Sequence, residues 1–81
     1  MIAVDAIVNE RKLWARDFGQ TIEMMRRNRQ LTRGQLADMA GISLNQYCGY
    51  CVGRNEPTAY IVYRLAESLN TSADILLGIV R

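Results

Sequence analysis

Apolar residues recur at helical spacing along the first third of the chain. Phe18, Ile22 and Met25 stand at i, i+4 and i+7, and Trp14 extends the stripe back by a turn. This pattern predicts one amphipathic helix from about Asn9 or Leu13 to Asn28. Gly19 interrupts it at a cost of up to ~1 kcal/mol relative to alanine, which suits close packing against another backbone. Thr32 and Gln35 then have the spacing of a capping box, in which each side chain satisfies an unpaired backbone N–H of the first turn. The helix they open, about residues 33–40, carries Leu36, Ala37, Met39 and Ala40 and stops at Gly41.

Only Ile42 separates that glycine from a second capping box, Ser43 with Gln46. Two helices joined so tightly must cross at a large angle instead of stacking antiparallel. The third helix is expected over about 44–52, with Tyr47 and Tyr50 facing inward and Gly53 ending it. A polar loop follows and Pro57 closes it. Thr58 caps a fourth helix whose apolar face includes Ile61, Val62, Leu65, Ala66 and Leu69, with Asn70 at its end. Ser72 caps a short fifth helix, Ala73–Leu77, with Asp74 near its positive end and Gly78 as its stop. Five helices and no convincing strand predict an all-α domain over residues 9–78. An apolar arm (1–8) and a short tail (79–81) flank it, either packed on the domain or on a second subunit, or disordered.

Charge changes the picture through its distribution. The chain has ten basic and eight acidic residues, a net +2. Residues 11–33 hold seven basic against two acidic residues, a local +5, and the remainder is −3. Such polarity fits an anionic partner on one face, and it equally fits a solvated helix surface. Histidine is absent, which removes the commonest general base and the commonest metal ligand together. Two cysteines cannot close a four-ligand zinc site within one chain. No apolar run approaches the roughly 18 residues of a membrane span, and the opening stretch has no basic leader, so a cytoplasmic location is expected.

Leu36, Ala37, Ala40, Gly41, Ile42, Tyr47 and Tyr50 resemble the helix-turn-helix pattern: a small residue at Ala37, glycine at Gly41, and an apolar residue at Tyr47. Together with the Gly53–Thr58 loop and the Leu69–Gly78 ending, residues 18–78 are similar to the five-helix phage repressor and Cro-type (Xre-like) family. The resemblance implies a compact repressor-like domain whose third helix lies in the major groove of double-stranded DNA. It places Leu44, Asn45 and Gly49 at base-reading positions, with Cys48 beside them, and Ser43 and Gln46 close to the backbone. Arg33 falls near phosphate at the start of the second helix, and Arg54 and Asn55 follow the recognition helix where the family also meets the backbone. Independently, Asn45 suits adenine and Leu44 a thymine methyl.

Several positions depart from the family pattern. Gly49 has no side chain where a long polar one is usual, Cys48 is a poor base reader, and Tyr47 is bulkier than the common valine or isoleucine. Cys51 replaces a glutamate that the family often pairs with an arginine corresponding to Arg26. Arg26 is therefore expected to turn to solvent, to phosphate as a backbone contact, or to a nearby acid such as Glu23. Cys48 and Cys51 also form a C-x-x-C, but inside a helix and with no preceding strand; reduced thiols are expected over a redox pair or a zinc site shared between chains.

The expected function is sequence-specific regulation of transcription, in a phage or prokaryotic setting, by a homodimer on a pseudo-palindromic operator. Tyr60 and Tyr63 are candidates for the dimer surface. No catalysis, cofactor, metal, membrane or small-molecule substrate is implied. The rival is a helix-turn-helix fold used as a protein-interaction module of antitoxin or anti-repressor type, motivated by Gly49, Cys48 and Cys51.

Overall fold

A computed structural model describes residues 4–79, which form five helices in the order α1 (Val4–Asn28), α2 (Arg33–Ala40), α3 (Leu44–Cys51), α4 (Ala59–Leu69) and α5 (Ala73–Leu77). Among these residues there is no strand, and no helix is long and apolar enough to cross a membrane.

The local signals for α2 to α5 act as their spacing requires. Thr32, Ser43, Thr58 and Ser72 each accept a hydrogen bond from a backbone N–H of the turn they open, and the boxes on Thr32 and Ser43 are reciprocal. Gly41, at φ 74°, turns the chain out of α2 in the left-handed conformation that costs glycine least. Its N–H and that of Ile42 return to carbonyls of the last turn of α2, so α3 starts almost at once in a new direction.

The first helix departs from expectation at its start. It begins at Val4, not at Asn9 or Leu13, and runs for 25 residues. No proline or glycine lies between Val4 and Asn9, and extending an existing helix fixes one residue per added hydrogen bond. Residues 4–8 of the expected arm are therefore the first turns of α1. Residues 1–3, and 80–81 of the expected tail, lie outside the described residues.

The core gathers the inner faces of all five helices. Phe18, Ile22, Leu36, Tyr47, Leu65, Leu69 and Leu76 are its fully buried large side chains. Trp14 is only half-buried: it stacks on Phe18 with ring centroids 5.5 Å apart, and its Nε1 donates to the Leu77 carbonyl at 3.1 Å. That bond ties the end of α5 to α1. At Gly19, α1 meets α3 backbone to backbone, and an added Cβ would run into the carbonyl oxygens of Tyr50 and Cys51. The missing side chain thus sets how deeply α3 sits on α1, which fixes what α3 shows to solvent.

Candidate nucleic-acid interface

Helix α3 presents two unlike sides. Tyr47 and Tyr50 are buried and Cys51 is half-buried, so these three define the side pressed on the core. At 3.6 residues per turn, Asn45 and Gly49 fall on the opposite side, four residues apart on one face. Leu44, Asn45 and Gln46 are all exposed, whereas Cys48 is half-buried. Ser43 Oγ accepts from the Gln46 N–H at 3.0 Å, so both of these expected backbone-contacting residues are already engaged in capping. Val52, at the C-terminal cap, is 65 % exposed.

Below this helix lies a carboxylate with three donors. Glu23 is buried at 6 % exposure. Arg26 Nε donates to its Oε2 at 2.6 Å, Arg33 Nε to its Oε1 at 2.6 Å, and the Tyr47 hydroxyl to Oε2 at 3.2 Å. Burial pushes the Glu23 carboxyl up, but the hydrogen bonds and charges of Arg26 and Arg33 outweigh it and hold the group below its ordinary value. Burial first, then the neighbouring Cys51 thiol, pushes the Tyr47 phenol far up, so it serves as a hydrogen-bond donor at any ordinary pH.

This cluster sets the surroundings of two of the candidate residues. Arg26 turns inward: its Nη1 donates to the Leu31 carbonyl at 2.6 Å, and its side chain is 13 % exposed. Of the three destinations open to it, the nearby acid is the one realised, because a guanidinium this deep needs a counter-charge. Arg33 stands at the start of α2 but is latched to the same carboxylate through Nε; with its side chain 52 % exposed, the rest of its fork faces solvent. Glu23 thus supplies from α1 the carboxylate that Cys51 does not provide from α3.

The other flank of α3 is built differently. The Arg54 and Asn55 N–H groups donate to the Gly49 carbonyl at 2.9 and 3.3 Å, which folds the loop back over the helix. Both side chains are exposed, and both lie over Gly49. Beyond them opens a broad cleft lined by Arg11, Lys12, Gln46, Tyr50, Arg54 and Glu56. Arg11 pairs bidentately with Glu56, its Nε and Nη2 at 2.6 and 2.7 Å from the two carboxylate oxygens. Lys12 and Arg16 are exposed and form no ion pair among the described residues.

The family model described as helix-turn-helix matches residues 22–76, about two thirds of the chain. The chain belongs to this helix-turn-helix family. It is accordingly a DNA-binding transcriptional regulator, a class normally built for binding and not for catalysis. Among solved structures it is similar to the restriction-modification controller protein C.AhdI from Aeromonas hydrophila. The identity is 22 %, over 76 % of this chain and 94 % of that one, with a TM-score of 0.74, which establishes a shared fold. No curated protein matches the chain.

Within this helix-turn-helix domain, Leu44 and Asn45 stand together on the exposed start of α3, and Arg33 lies beside Glu23 at the start of α2. Gly49 is not open to a ligand, being buried beneath Arg54 and Asn55. Glu23 escaped as an organising group because only the folded chain brings Arg33 and Tyr47 to it; its sequence signal was the i, i+3 spacing to Arg26. Cys48 and Cys51 are free thiols, and burial pushes that of Cys51 up to about 11. This is opposite to the lowered value that a reactive redox cysteine needs.

Proposed function

We propose that the chain is a sequence-specific regulator that binds a pseudo-palindromic operator as a homodimer, with α3 in the major groove and the protein at work in the cytoplasm. The observation that carries this reading is the exposed first turn of α3, where the side chains of Leu44 and Asn45 project from a helix start and make no hydrogen bond among the described residues. Asn45 has the donor and acceptor to pair with adenine, and Leu44 the apolar surface for a thymine methyl. The Ser43 hydroxyl and the Gln46 amide, whose hydrogens the cap does not use, flank that turn with the open part of the Arg33 fork and supply backbone contacts. A second copy would dock through α4, where Tyr60 and Tyr63 are 63 % and 53 % exposed with ring centroids 6.1 Å apart.

The test is a titration of purified protein against duplexes from the region flanking its own gene, repeated across salt. Specific binding should survive physiological salt, several orders of magnitude tighter than binding to random duplex. Asn45→Ala should relax base preference in the same assay. Equal affinity for every duplex, or none, would sink the proposal and leave the protein-interaction module standing.

A further inference from the structure

Gly49 lies on the face of α3 that points away from the core, in register with Asn45, yet it is buried. The core does not bury it. An ideal Cβ built on Gly49 would meet Asn55 Nδ2 at 2.5 Å and Arg54 Nη2 at 3.2 Å, so the ends of these two side chains occupy the space in front of the glycine. Their backbone explains why they stay there. Both N–H groups are anchored on the Gly49 carbonyl, and Gly53, at φ 77°, makes the reversal that brings them back.

We infer that Arg54 and Asn55 stand in for the side chain Gly49 lacks and act as base-reading residues, extending the surface begun by Leu44 and Asn45. This rests on the proposal that α3 enters the major groove. Their chemistry suits base edges: a guanidinium fork matches the O6 and N7 acceptors of guanine, and a carboxamide matches the N6 and N7 edge of adenine. Both residues are exposed, and the charge of Arg54 is unpaired among the described residues. A loop is a less rigid platform than a helix, and the two bonds to the Gly49 carbonyl compensate by pinning both residues at the backbone. The two departures on this helix face, a missing reader and an adjacent polar loop, are therefore parts of one device.

The experiment selects preferred sites from a pool of duplexes randomised over about two helical turns, ~21 base pairs. It uses the wild type, Arg54→Ala, Asn55→Ala and Gly49→Ala. For Arg54→Ala, affinity for the wild-type site should fall roughly 5- to 100-fold, with preference lost at one or two base pairs per half-site and a smaller loss on random duplex. Gly49→Ala is the decisive companion, because alanine favours the helix while its methyl displaces the Asn55 amide and crowds Arg54. It should fold at least as stably as wild type and alter preference at the same base pairs. The inference is overturned if Arg54→Ala weakens selected and random duplexes by the same factor, which marks a phosphate contact alone. It is also overturned if Gly49→Ala selects the wild-type sequence. A wild type that selects nothing removes the regulator reading itself, and this inference with it.

Discussion

The two flanks of α3 both border arginines, and they use them in contrary ways. At the α2 side, Arg26 and Arg33 converge on buried Glu23, so one carboxylate holds two charges that sequence counting would assign to DNA. At the loop side, Arg54, Lys12 and Arg16 form no ion pair among the described residues, and Arg11 meets only Glu56 at the surface. Positive charge on a sequence is therefore not charge available to a partner. Burial explains Arg26, whose desolvated guanidinium must find an internal counter-charge, whereas Arg33 is drawn in by the buried Glu23 carboxylate although half of its side chain is exposed. The first flank is a buttress that braces α3 internally, and the second keeps its charges in solvent.

Removing Glu23 breaks the comparison most severely. Glu23→Ala leaves Arg26 buried without its partner and frees the Tyr47 hydroxyl, which should cost about 3–5 kcal/mol of stability. Urea denaturation measures this, and a loss under ~1 kcal/mol would show that the buttress is dispensable. Gly19→Ala should come next, at about 1–3 kcal/mol or more, because its methyl pushes against the carbonyls of Tyr50 and Cys51. It shifts α3 against both flanks at once, so DNA affinity should fall beyond what the stability change explains.

Acid sharpens the comparison without a large mutation. The folded Glu23 carboxyl titrates below its unfolded value, so its contribution is complete above the unfolded value and disappears as pH falls through the folded one. Thermal melts of the wild type should therefore drop as pH falls below the ordinary carboxyl range. Glu23→Gln should show a shallower fall, and parallel curves would refute the assignment. The smallest effects belong to single surface charges. Lys12→Ala should reduce the slope of log affinity against log salt by about 1 with stability unchanged. Arg33→Ala should lower that slope by less, since Nε is committed to Glu23, while also loosening α2; equal slopes for the two variants would erase the distinction between the flanks.

Much of the frame was legible locally. Thr32 with Gln35, Gly41, and Ser43 with Gln46 specify two helices and their sharp junction within fifteen residues, because caps and left-handed turns depend on near neighbours. Gly19 was readable as a close approach, though not what it approaches. The start of α1 was misplaced because helix extension through Val4–Val8 has no stop signal to mark it. For the site, the places of Leu44 and Asn45 came with the family resemblance and the turn of Arg26 to Glu23 was one of the open alternatives, whereas the fates of Arg33 and Gly49 were not legible. Each depends on groups brought together from separate segments.

The sequence by itself determined the five helices, the tight α2–α3 junction and the membership in a helix-turn-helix class. These rest on hydrogen bonds and periodicities spanning a few residues. Tertiary structure alone decided which charges remain available. Glu23 gathers Arg26, Arg33 and Tyr47 from three helices, and the loop after α3 lays Arg54 and Asn55 over Gly49. Desolvation and close approach act through space, and no spacing along the chain encodes them.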